Sequence, residues 1–123
     1  MAELFLGKLA SGDFPGLGEL FEPDVEMRAL LPDGPREWQG PEPIVAAFAR
    51  WFGRSETYEL LDASVGHLGP RLQLRWRARV RGGSFPDADF VVQQHVYADA
   101  GPSGRIQSLA MLCSGFVREQ SDG

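Results

Sequence analysis

The segment Leu72 to Arg81, LQLRWRARVR, alternates without a slip. Leu72, Leu74, Trp76, Ala78 and Val80 share one parity, and Gln73, Arg75, Arg77, Arg79 and Arg81 share the other. Successive side chains of a strand point to opposite faces, so the run predicts a half-buried strand in a single register. A shift of one residue would carry every arginine into the core. Arginines on alternate residues stand about 7 Å apart and repel one another unless carboxylates on neighbouring strands, or a partner surface, intervene. The row reads either as an anion or phosphate site or as an outer face, solvated or set against a second subunit. The net charge of −5 favours the outer face.

After Gly53, alternating runs cover Glu56 to His67, Leu72 to Arg81, Asp89 to Asp99 and Arg105 to Val117; the breaks HLGPR, GGSFPD and AGPSG are turn compositions. The second half therefore predicts an antiparallel meander. Ahead of it, Phe5 and Leu9 stand on one face of a first helix that Gly12 and Asp13 stop, with Asp13 free to cap the next turn. Leu17, Leu20 and Phe21 mark a short second helix over Phe14 to Glu22, closed by Pro23. Strands follow at Val25 to Leu31 and Arg36 to Gln39 around the turn PDGP. Pro41 then opens a third helix with Ile44, Phe48, Trp51 and Phe52 on one face. The predicted class is α+β: one domain over residues 1–123, a curved antiparallel sheet of about six strands covered by three helices from the N-terminal half.

Hydrophobic residues make up 43% of the 123, enough for one core without a disulfide or a structural metal. The single cysteine, Cys113, excludes an internal disulfide, and with two histidines it is too little for a zinc site. No metal and no cofactor are expected. Nucleic acid and anionic membranes reward a positive footprint that this chain lacks. No stretch is long and apolar enough to span a bilayer, and the opening MAELFLGKLASGD has no basic start before an apolar run, so the expected compartment is the cytoplasm.

On FVVQQHVYAD, Phe90, Val92, Gln94 and Val96 share the apolar parity. Gln94 is thus an amide among hydrophobic neighbours, either hydrogen-bonded structurally or waiting for a ligand's oxygen. His95 falls on the arginine parity and reads as an exposed or interface residue before a catalytic one. Cys113, in AMLCSGF, lacks the G-x-S-x-G spacing of a hydrolase elbow and reads as a buried, inert thiol.

The stretches LFEPDVEMRALLPDG, WQGPEPIVAAFARWF and SGRIQSLAMLCSGF together resemble the SnoaL-like branch of the nuclear-transport-factor-two (NTF2) superfamily, which also includes ketosteroid isomerases, polyketide cyclases and limonene epoxide hydrolases. The resemblance implies a cone-shaped, cystatin-like α+β barrel with a pocket inside, and a homodimer through the outer sheet face, here Arg75, Arg77, Arg79 and His95. Relatives carry roughly two further helical turns ahead of the first helix, so one end of the pocket is expected to be more open. Matched by position, the isomerase's first-helix tyrosine falls on Phe5, its aspartate base on Ala29 and its oxyanion-hole aspartate on Gln94. The cyclases' last-strand acid falls on Met111, and the Arg-x-Asp pair of the epoxide hydrolases is absent. Catalytic candidates reduce to Gln94, Cys113 and His95.

The implied pocket comprises Phe5, Leu9, Met27, Ala29, Trp38, Phe48, Trp51, Phe52, Trp76, Gln94, Met111 and Cys113, a lining suited to an apolar ring system bearing one carbonyl or hydroxyl. Three functions are carried forward. The first is a small-molecule pocket protein for a polyketide- or steroid-like ligand. The second is a cyclase, isomerase or dehydratase using Gln94 as electrophile and Cys113 or a histidine as proton carrier. The third is a non-catalytic dimerising module.

Overall fold

Residues 1–119 are described in a computed structural model of the chain. Helix α1, Ala2–Ser11, buries Phe5 and Leu9 and ends at Gly12, whose φ of 74° lets its N–H turn back to the Leu9 carbonyl. Asp13 caps the next turn by accepting from the Gly16 N–H at 3.0 Å. Helix α2 is shorter than its spacing predicts. It covers Phe14–Leu17 and tightens into a 3₁₀ turn over Gly18–Leu20, because Phe21 and Glu22 are already extended. Pro23 does not close the helix; it lies within the first strand, where the pairing shifts between Phe21 and Glu26, an irregularity that tolerates a residue without an N–H.

Strands β1 (Phe21–Leu31) and β2 (Gly34–Gln39) form a hairpin, and α3 (Pro41–Phe52) follows with Ile44, Ala47, Phe48 and Phe52 buried. Four long strands complete the sheet: β3 (Thr57–Leu68), β4 (Arg71–Gly82), β5 (Phe85–Ala100) and β6 (Ile106–Cys113). A two-residue β7, Val117–Arg118, pairs with β5. The order across the sheet is β2-β1-β6-β5-β4-β3.

Two expectations need correction. The sheet is mixed, because β1 and β6 run parallel, with Met27 opposite Leu109 and Ala29 opposite Met111. Local alternation reports which face a residue takes but not the direction of a distant partner, and these strands are joined through α3 and the whole meander. The sheet is also open, since β2 and β3 are its edges and do not meet. The expected last strand, Arg105 to Val117, is interrupted at residues 114–116, where Gly115 has a φ of 78°.

The three helices cover the concave face. Phe5 and Leu9 from α1, Leu17 from α2, and Ile44, Phe48 and Phe52 from α3 meet Leu74, Trp76, Ala78 and Val80 of β4 and Val92 and Val96 of β5 in one core. Full burial of each large side chain contributes about 1.5–3 kcal/mol, so this layer supplies most of what holds the helices to the sheet.

Candidate functional site

The twelve residues expected to line a pocket do converge. Ten are buried, and Trp38 and Trp51 are half-buried against the same cluster. What they line is a tightly filled interior. The Phe5 ring lies 5.7 Å from Trp76 and 6.1 Å from Phe48, and Phe48 lies 6.3 Å from Trp76 and 5.3 Å from Trp51, centroid to centroid. These are contact separations for edge and tilted ring pairs. Trp38 extends the cluster towards solvent, 5.8 Å from Trp51.

At its centre is a polar triad. Trp76 stands opposite Gln94 on the β4–β5 ladder, and Gln94 opposite Cys113 on the β5–β6 ladder. Gln94 and Trp76 are 0% exposed and Cys113 is 8% exposed. The indole Nε1–H donates to Gln94 Oε1 at 2.9 Å, and Gln94 Nε2 donates to Cys113 Sγ at 3.3 Å. The amide is therefore held structurally, its oxygen by a good donor and its nitrogen by a weak sulfur acceptor. The positions where the resemblance would place a base or an acid, Ala29 and Met111, are buried neighbours on β1 and β6 and carry no ionisable group.

His95 lies on the other side of the sheet. Its ring Nε2 is 2.8 Å from Gln93 Nε2, whose N–H donates to it, and no geometry brings it into the interior with Gln94. Cys113 is the candidate proton carrier that remains beside the amide. Among the described residues, no three His, Cys, Asp or Glu side chains gather in a metal-binding arrangement, and no helix is long and apolar enough to cross a membrane.

Neighbouring side chains, three of them carboxylates and one an amide, answer the arginine row. Arg75 Nη1 reaches Asp62 at 2.8 Å, Arg77 donates to Gln93 Oε1 at 3.0 Å, Arg79 forms two 2.7 Å bonds with Glu119, and Arg81 reaches Asp89 at 2.9 Å. Arg71 grips Asp99 through two 3.0 Å bonds. The row is charge-compensated within its own chain, which removes the physical basis for an anion site there.

Elsewhere the outer surface turns apolar. Across β1, β6 and β5, Leu30 and Leu112 are each 53% exposed and Tyr97 is 39% exposed. With Pro35, Ala110 and His95 they line a groove of about 570 Å³. Their outward parity is readable from the alternation of VEMRALL and IQSLAMLC, but the adjacency is not, because it depends on the parallel β1–β6 pairing. Sequence reasoning also misses Tyr58, Phe85 and Phe116. Tyr58 donates to the Leu9 carbonyl at 2.7 Å, and burial pushes its phenol well above its ordinary value. The Phe85 and Phe116 rings meet tilted, 4.9 Å between centroids, at one end of the interior.

No family model matches the chain, and no curated protein does either. Solved structures do. A SnoaL-like protein from Shewanella denitrificans OS-217, assigned as a polyketide cyclase, superposes with a TM-score of 0.71 at 16% identity, over 92% of this chain and 87% of that one. The fold is SnoaL-like and NTF2-like. A hypothetical protein with a ketosteroid isomerase-like fold from Catenulispora acidiphila DSM 44928, solved in complex with trimethylamine, gives 0.67 at 17% identity over 89% and 81%. An M. tuberculosis epoxide hydrolase of the limonene-epoxide-hydrolase-like type gives 0.64 at 15% over 91% and 78%. At these identities the likeness is one of fold. Within that NTF2-like fold, this chain's concave face is packed with its own aromatic rings.

Proposed function

We propose that this NTF2-like chain binds a small apolar, ring-containing molecule between its helices and the concave face of its sheet, with Gln94 as the polar anchor. The observation that supports the reading is the poor partner of the Gln94 amide nitrogen. A fully buried amide N–H spends itself on a thiol sulfur, and a ligand carbonyl or hydroxyl oxygen is a better acceptor. Aromatic rings already fill the space, so a ligand ring would replace ring–ring contacts within the protein by contacts of the same kind. Polycyclic ketones should therefore quench tryptophan fluorescence saturably. Gln94→Leu should weaken that binding about tenfold, the loss of one buried hydrogen bond. Absence of saturable quenching across a library of polycyclic ketones and phenols would overturn the reading.

A second reading rests on the outer groove. A two-fold contact sets a patch against itself, which requires an apolar centre and a rim without net like charge. Leu30, Tyr97 and Leu112 supply the centre. On the rim, Arg28 lies 3.3 Å from Glu26 and Arg36 lies 2.9 Å from Asp33, so the charges are already balanced. A homodimer through this face would include His95 and leave Arg75, Arg77 and Arg79 towards its edge. Light scattering should give twice the chain mass, reduced to one by Leu112→Arg; a monomer in the unmodified protein would reject it.

A further inference from the structure

β6 stops at Cys113 opposite Gln94, and β7 resumes with Val117 opposite Val91. Two residues of β5 thus face three, Ser114 to Phe116, and the extra residue is a bulge. Gly115 occupies it with a φ of 78°, so close to the β1–β2 turn that a Cβ there would come within 2.5 Å of Pro32 Cγ. The Phe116 ring lies 6.1 Å from Phe52 and 4.9 Å from Phe85. From Phe52 the contacts continue to Phe48 at 6.4 Å and on to Trp76, whose indole N–H holds Gln94. Phe116 is thus at the outer end of a continuous run of rings that leads to the polar triad.

At its start the segment is tied to β5 by two bonds, the Ser114 N–H donating to the Gln93 carbonyl and the Gln93 N–H to Ser114 Oγ, each at 2.9 Å, and beyond Ser114 little holds it in place. β7 has two ladder pairs with β5 and, among the described residues, no strand on its other side. The Glu119 N–H donates to the Asp89 carbonyl at 2.8 Å, and the Glu119 carboxylate takes the Arg79 guanidinium in a two-bond fork, the one charged tie that fastens the end of the segment to the sheet. A short edge segment with few buried contacts is the kind that opens below the global unfolding limit. In the closed position the Gly115 N–H points at Cys113 Sγ at 3.4 Å, so the segment also covers the thiol.

We propose that residues 114–119 form a strap that peels from β5, swings Phe116 off Phe52 and Phe85, and so admits an apolar ligand to the interior while uncovering Cys113. The ligand rests on the proposed function; the opening does not. Alkylation of Cys113 by iodoacetamide in native buffer reads the opening, and fluorescence of the uncharged dye N-phenyl-1-naphthylamine reads entry. Both are measured on the full chain and on Phe116→Ala and Glu119→Gln, with melting temperature followed in parallel. Each variant should alkylate about tenfold faster with little change in melting, because labelling tracks the open population. If Phe116→Ala fails to fold, the exposed Glu119→Gln still decides. Unchanged labelling in the folded variants, or wild-type labelling that follows the denaturant dependence of global unfolding, overturns the strap. Faster labelling with no dye bound by any form upholds the strap and overturns the interior ligand. Dye entry at one rate in all forms, with labelling unchanged, does the reverse.

Discussion

The two faces of the β4–β5 ladder share a register and nothing else. On the inner face Trp76 stands opposite Gln94, and both are sealed from water. On the outer face Arg75 stands opposite His95 and Arg77 opposite Gln93, each of them at least partly exposed. Both faces make polar contacts of similar length, 2.9 Å for Trp76 to Gln94 and 3.0 Å for Arg77 to Gln93. The contacts differ in what happens when a partner is lost. Inside, the group left behind has no substitute; outside, water takes its place. The more conspicuous sequence feature, the arginine row, is therefore the less consequential one.

The largest effect should follow from Trp76→Ala, which removes the ring shared by Phe5, Phe48 and the Gln94 amide. Urea denaturation should show a loss of about 3–5 kcal/mol. Gln94→Leu keeps the volume and leaves the buried indole N–H unpaired, at a cost of about 1–3 kcal/mol. Arg77→Gln, its outer counterpart, should stay within about 0.5 kcal/mol. Equal losses for Gln94→Leu and Arg77→Gln would mean that burial does not separate the two faces.

Parity is legible in the sequence because it is a local property: Val80, Ala78, Trp76 and Leu74 are all buried, and their alternates are not. The same holds for Phe48 and Phe52 on α3 and for the Asp13 cap. Elements held by distant partners are not legible in this way. The parallel β1–β6 pairing, which creates the groove at Leu30 and Leu112, joins strands some eighty residues apart. The carboxylates that neutralise the arginines lie on β3, β5 and the segment after β7; Asp89 meets Arg81 in the regular β4–β5 register, but Asp62 follows a shift in the β3–β4 pairing and Glu119 follows the bulge before β7. Phe116 follows Gly115 in an apparently continuous strand, and the positive φ that re-aims it is no part of an alternation pattern. Alternation and helical spacing do group the interior residues as neighbours, yet composition alone does not say whether neighbouring rings enclose space or fill it.

The smallest effect concerns acid. Glu119 and Asp99 are each held below the ordinary carboxylate range, first by hydrogen bonds from Arg79 and Arg71 and then by the charge of those guanidiniums. Glu22 is lowered mainly by its Ser103 hydroxyl bond, with further help from the Ser103 N–H and Arg105. A carboxyl whose value is depressed on folding releases its proton more readily in the native state. Its contribution is complete above the unfolded value, 4.5 for a glutamate, and is lost as pH falls through the lower folded value. The urea midpoint of the wild type should therefore be flat from pH 4.5 to neutrality and decline below pH 4.5. Arg79→Gln removes the cause for Glu119 alone, leaving Glu59 and Asp89 without the cation they flank. That variant should lie slightly below the wild type near neutrality and converge on it in acid. A constant offset down to the most acidic pH would assign the Arg79 contribution to packing of its stem across β4, and the pairing with Glu119 would then carry no part of it.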